Sequence, residues 1–116
     1  MPQLMLTHQH LPGATLISVV GDLDISTCGQ MDTYIQQARQ EPGDHLVFDM
    51  TRMTFMDSSG LRVLVNTHSF SVQQGGSMRL AGVQRLPARI FEITGVDRLI
   101  PVHATVADAL AALELD

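Results

Sequence analysis

Two adjacent serines, preceded by an aspartate and followed by a glycine, are the residues of this chain best placed to do chemistry: Asp57-Ser58-Ser59-Gly60. They follow Phe55-Met56 and precede an apolar-periodic segment, so they fall between a predicted strand and a helix expected to begin near Ser59. At a helix N-terminus, unpaired backbone N–H groups and the macrodipole favour negative charge. A phosphate added there is tolerated by the fold and changes the surface that a partner meets. The same residues also suit an ordinary helix cap, and a cap argument does not separate Ser58 from Ser59.

A nucleophilic role for either serine needs a base within hydrogen-bond reach and an oxyanion hole. The chain lacks the Gly-x-Ser-x-Gly elbow, and no base can be assigned, so no catalytic residue is expected. Asp22 and Asp24, in Gly21-Asp22-Leu23-Asp24, are read as partner contacts or as a turn and helix-start cluster. With Asp57 they make three carboxylates, but no phosphate-substrate motif accompanies them and no metal site is expected. His8, His10, His45, His68 and His103 show no ligand spacing. Met53 and Met56 flank the serine loop and are read as an adaptable contact patch. Cys28, the single cysteine, is expected to be a small buried side chain.

Composition narrows the classes further. A length of 116 residues, 45% hydrophobic and 16% charged, fits one compact domain spanning 1–116. A net charge of −5 argues against a nucleic-acid groove. All seven positive residues are arginine, which excludes a P-loop or Schiff-base lysine. One cysteine gives neither an internal disulfide nor a metal cluster. Neither a signal peptide nor a membrane span is evident, so a cytoplasmic address without direct membrane insertion is expected. No cofactor is implied. Phe48, Phe55, Phe70 and Phe91 are the bulkiest core candidates.

The elements that must position the serines follow from patterning. Leu4–His8 and Ala14–Gly21 read as an antiparallel hairpin around a turn at 10–13. Ser26 and Thr27 are candidate N-caps for a helix carrying Cys28, Met31, Ile35 and Ala38. A buried strand is expected over Leu46–Met50, with Asp49 a structural residue making local hydrogen bonds. Leu61, Leu64, Val65, His68 and Val72 form the stripe of the next helix, which Gly75-Gly76 ends. Met78–Ala81 reads as a strand. Pro87 and Gly95 frame a third helix with Leu86, Ile90 and Ile93 inward. Leu99–Val102 is a last strand, and Thr105-Val106-Ala107-Asp108 opens a final helix with Val106, Ala109, Leu110 and Leu113 packing. The order is β-β-α-β-α-β-α-β-α, an α/β fold whose mixed sheet, opened by a hairpin, is covered by about four helices. The loops after the second and third strands leave carboxyl ends of the sheet and should be neighbours.

Val47-Phe48-Asp49-Met50, Phe55-Met56-Asp57-Ser58-Ser59-Gly60-Leu61 and Gly21-Asp22-Leu23-Asp24 together resemble the STAS domain of bacterial anti-sigma factor antagonists. The resemblance covers nearly the whole chain and is nearest to the stand-alone sporulation and stress-response type. It implies a non-enzymatic regulator whose unphosphorylated form binds an anti-sigma factor with serine kinase activity and so frees a sigma factor. Carried over, the phosphorylated residue is Ser58, with Ser59 the lesser candidate, and a serine phosphatase resets it. The implied partner surface is Asp22, Asp24, Met56, Asp57, Ser58, Ser59 and Arg62. Arg62 departs from the small residue common in the family, and it is placed to pair with a phosphate or to narrow partner choice. STAS domains also serve as scaffold subunits of stress-sensing or lipid-transport assemblies, which need no dedicated kinase.

Overall fold

A computed structural model describes residues 3–114. The elements run β1 (Leu4–Leu11), β2 (Ala14–Leu23), α1 (Cys28–Ala38), β3 (His45–Met56), α2 (Ser58–Gln73), β4 (Ser77–Ala81), α3 (Arg85–Thr94), β5 (Val102–His103) and α4 (Val106–Glu114), with a 3-10 turn at Val96–Arg98 before β5. The expected order of strands and helices is thus observed. The sheet is mixed, in order β1-β2-β3-β4-β5, with β1–β2 antiparallel and the other pairings parallel.

Alternation along β3 divides the core between the two faces of the sheet. Leu46 and Phe48 point to the face covered by α1, α2 and α3, where they pack with Ile17, Met31, Ile35, Leu64 and Phe91. Val47, between them, points to the other face and meets Ala109 of α4, with Val106, Leu110 and Leu113 alongside. Fully burying a side chain of this size stabilises by about 1.5–3 kcal/mol, so α4 is held by a smaller cluster than the other helices.

Several boundaries differ from expectation. The hairpin strands are longer, leaving Pro12-Gly13 as the turn, with Gly13 at φ 81°. The strand expected to stop at Met50 continues to Met56, because its outer half pairs with β2 through register shifts between Ser18 and Val20 and between Gly21 and Asp22. Such bulges break strict alternation, so Met50, Met53 and Met56 all turn inward at three-residue spacing. The last strand shrinks to Val102–His103, since Val96–Arg98 is helical and Ile100 is a buried plug before it.

Two helices keep part of the expected stripe inward, Leu61, Leu64 and Val65 in α2 and Ile90 in α3, and bury other residues beside it. The buried residues of α2 are Gly60, Leu64, Thr67 and Ser71, whereas Val72 is exposed. Small side chains let this face approach the sheet closely. In α3 Pro87 and Phe91 are buried and Ile90 packs on the core as expected; Leu86 and Ile93 face solvent. Phe48 and Phe91 are core residues, but Phe55 and Phe70 are exposed over a little less than half of their surface. Asp49 accepts the Thr51 N–H and hydroxyl, the local bonding expected of it.

Candidate functional site: the serine corner

Asp57 ends the extended run of β3 and, at extended φ/ψ, occupies the N-cap of α2. Its Oδ1 accepts the N–H groups of Ser59 at 2.8 Å and Gly60 at 3.2 Å. Its Oδ2 accepts the N–H of Ile25 at 3.2 Å, and its own N–H donates to the Leu23 carbonyl at 3.2 Å. Asp57 is therefore the cap, and it stitches the start of α2 to the loop after β2. The expected neighbourhood of the two loops is real, reinforced by the pairing of Leu23 with Met56 and Asp22 with Phe55. Residues 21–23, however, continue β2 instead of forming a turn.

With Asp57 engaged, Ser58 takes the first helical position and is exposed. Ser59 is half-buried and faces a cleft of about 380 Å³ between α1 and α2, which Ile25, Cys28, Asp32, Arg62 and Asn66 also line. Cys28 is half-exposed there, not buried, because the first turn of α1 lies at the rim of that cleft. Gly60 is fixed by crowding: a Cβ would lie 2.6 Å from Leu23 Cγ and 2.7 Å from the Leu23 carbonyl oxygen.

The two acidic residues before α1 are tied locally. Asp24 Oδ1 accepts the Ser26 hydroxyl at 2.6 Å and the Ser26 N–H at 2.9 Å. The Ser26 hydroxyl bond, opposed by desolvation and aided by the Ser26 N–H and by Thr27, holds the Asp24 carboxyl below the usual carboxylate range. Thr27 occupies the N-cap position of α1, yet its hydroxyl accepts the Asp24 N–H at 2.9 Å and donates to the Asp22 carbonyl at 2.9 Å instead of capping the helix. Ser26 does not cap α1 either: its hydroxyl donates to Asp24, and the N-cap position falls on Thr27. Asp22 Oδ1 accepts the Thr54 hydroxyl at 3.0 Å.

Asp22, Asp24, Asp57, Ser58 and Ser59 thus gather at one corner, with Arg62 one turn along α2 from Ser58. Met56 does not join them on the surface. It is 1% exposed and Met53 is 0% exposed, so both support the corner from below and neither forms a contact patch. The apolar surface at the corner is instead Ile25, 75% exposed, and Phe55, 47% exposed. Patterning had a signal for Ile25, an isolated aliphatic residue inside a polar turn. For Phe55 it had none, because the bulges of β3 decide which of Phe55 and Met56 faces out.

No group of three or more His, Cys, Asp or Glu among the described residues is arranged to hold a metal ion. A cavity of about 550 Å³ lies at the opposite end of the sheet beside Leu11, Ala14, His45 and Leu113, and includes none of the corner residues. No helix among the described residues is long and apolar enough to cross a membrane.

A five-stranded mixed sheet with its hairpin first, three helices on one face and one on the other, and a capped serine corner at the carboxyl end of β3 define the class. The STAS domain family matches residues 5–109, and the chain belongs to that family. It is 30% identical over 116 residues to a protein of Paenibacillus polymyxa named anti-sigma F factor antagonist, with 97% of each chain covered. It is also 30% identical over 90 residues to the anti-sigma-B factor antagonist of Bacillus subtilis (strain 168), covering 72% of this chain and 83% of that one. Among solved structures, an anti-sigma factor antagonist from Mycobacterium paratuberculosis superposes with a TM-score of 0.86 at 24% identity, covering 97% of this chain and 95% of the other.

Proposed function

We propose that this protein is an anti-sigma factor antagonist, not an enzyme, and that phosphorylation of Ser58 switches its binding off. The observation that carries the reading is the exposed Ser58 at the first position of α2, beside the Asp57 cap and close to the exposed Ile25. The partner is an anti-sigma factor that is itself a serine kinase and brings the ATP. A serine phosphatase restores the binding form. The setting is the bacterial cytoplasm.

The physical case rests on where the charge falls. Phosphorylation adds about −1.5 to −2 charges at pH 7. At a helix N-terminus such a charge is favourable by roughly 0.3–1 kcal/mol, so the free protein stays folded. At an interface the sign reverses. A partner shaped for a neutral hydroxyl, and anchored on Ile25 and Phe55, would have to bury a dianion beside the Asp57 carboxylate. Burying an unpaired charge costs several kcal/mol. Ser58 is favoured over Ser59 because its hydroxyl is on the open surface, whereas Ser59 turns toward the α1–α2 cleft.

Incubation with candidate anti-sigma kinases and ATP, followed by phosphosite mapping, tests this. Phosphate on Ser58 supports the reading. Phosphate on Ser59, or on neither serine with any kinase that binds the protein, contradicts it; the latter is the result expected of a STAS scaffold without a kinase.

A further inference from the structure

We propose that His8 and His10 form a two-ligand site for a first-row divalent transition-metal ion on the outer strand of the sheet. β1 is an edge strand, and residues two apart on a strand point to the same face. Against the expectation that the histidines lack ligand spacing, His8 and His10 are therefore side by side, both exposed, with ring centroids 4.9 Å apart.

That separation suits chelation. A metal–nitrogen bond of about 2.0–2.1 Å, plus about 1.1 Å from nitrogen to ring centre, puts each centroid about 3.2 Å from a shared ion. For an ion lying on the axes of both free nitrogens at that radius, the 4.9 Å between centroids would correspond to a nitrogen–metal–nitrogen angle of about 100°. Imidazole nitrogens are donors suited to Cu²⁺, Ni²⁺ and Zn²⁺, and such an angle is compatible with square-planar or tetrahedral coordination.

The second observation is that each ring is already held through one nitrogen. His10 Nε2 lies 2.8 Å from the Ala38 carbonyl oxygen, so it carries the proton and leaves Nδ1 with a free lone pair. His8 Nδ1 lies 2.6 Å from the Tyr34 hydroxyl. With Nδ1–H donating to the Tyr34 oxygen, Nε2 is left to ligate, and metal binding selects that tautomer. A carbonyl or hydroxyl behind each imidazole is the outer-shell arrangement that orients ligating histidines. No third His, Cys, Asp or Glu joins them among the described residues, so water fills the remaining positions and the ion exchanges readily.

The site spans β1 and the C-terminal half of α1. Cys28, at the other end of that helix, lies about 9 Å from Tyr34 and about 15 Å from Ala38 along its axis. The site is thus separate from the serine corner and independent of the proposed switch.

The test titrates CuSO4, NiCl2 and ZnCl2 by calorimetry into the wild-type chain and into a His8→Gln/His10→Gln double variant, whose exposed amides preserve the fold. One ion per chain is expected, tightest for Cu²⁺, with at least tenfold weaker binding in the variant. On wild-type protein, Cu²⁺ should broaden the amide NMR signals of residues 8–10 and 34–38 first. Equal affinity in wild type and variant, or broadening centred elsewhere, overturns the site.

Discussion

The Asp57 carboxylate and the Ile25 backbone N–H meet at 3.2 Å, so the residue that caps α2 also anchors the loop leading into α1. One oxygen serves Ser59 and Gly60, and the other serves Ile25. The two halves of the corner are thereby held in a fixed relation by a single side chain, and Ser58 is carried between them.

Removing that carboxylate should separate the two roles. Asp57→Ala loses both and should cost about 1–2 kcal/mol of stability by denaturant unfolding. Asp57→Asn keeps an acceptor for α2 but turns an amide donor toward the Ile25 N–H. It should retain most of the stability while the Ile25 amide exchanges hydrogen faster and amides inside α2 stay protected. Unchanged exchange at Ile25 in Asp57→Asn would show that the link has no weight.

Gly60 offers a test in which the sign is reversed from the ordinary rule. Alanine normally gains about 1 kcal/mol over glycine inside a helix. Here the added methyl would stand 2.6 Å from Leu23 Cγ and 3.0 Å from Met56 Cγ. Overpacking of this kind costs about 1–3 kcal/mol, so Gly60→Ala should lower the unfolding midpoint. A raised midpoint would mean the corner yields easily.

Ile25 and Phe55 should matter to binding and not to folding. Both are exposed, and substitutions at such positions usually change stability by no more than about 0.5 kcal/mol. Ile25→Asp is expected to leave thermal unfolding nearly unchanged and to weaken capture of the anti-sigma factor at least tenfold in a calorimetric titration. Intact binding by Ile25→Asp would move the interface away from this corner.

His68 gives α2 a pH dependence. Burial lowers its pKa from the usual 6.5, and its Nδ1 is buried without a hydrogen-bond partner among the described residues. Below pH 6.5 the unfolded chain therefore takes up a proton on His68 before the folded chain does. Stability from this residue is complete above that value and falls as pH drops toward the folded pKa. His68→Gln should flatten the stability profile between pH 7 and 5, and parallel profiles would assign the dependence elsewhere.

The sequence pattern carried the element order, because turn residues and changes of period mark each boundary independently of packing. Pro12-Gly13, Gly75-Gly76 and Gly95 all fall at ends of elements. It did not carry which stripe of a helix faces inward. Of the apolar stripe Leu86, Ile90 and Ile93, only Ile90 packs on the core, and Pro87 and Phe91 are the residues of α3 that are buried. In α2, Thr67 and Ser71 are buried because they are small, a property invisible to hydrophobic periodicity. The corner itself was legible from Asp57, Ser58 and Gly60. Its apolar surface was not, since the register shifts of β3 bury Met56 and expose Phe55.

The most direct measurement is the affinity of the anti-sigma kinase for this protein before and after stoichiometric phosphorylation of Ser58. A loss of about 3 kcal/mol, or more than a hundredfold in Kd, is predicted, with Ser58→Ala binding like the unmodified chain. Equal Kd values for the two forms would contradict the account.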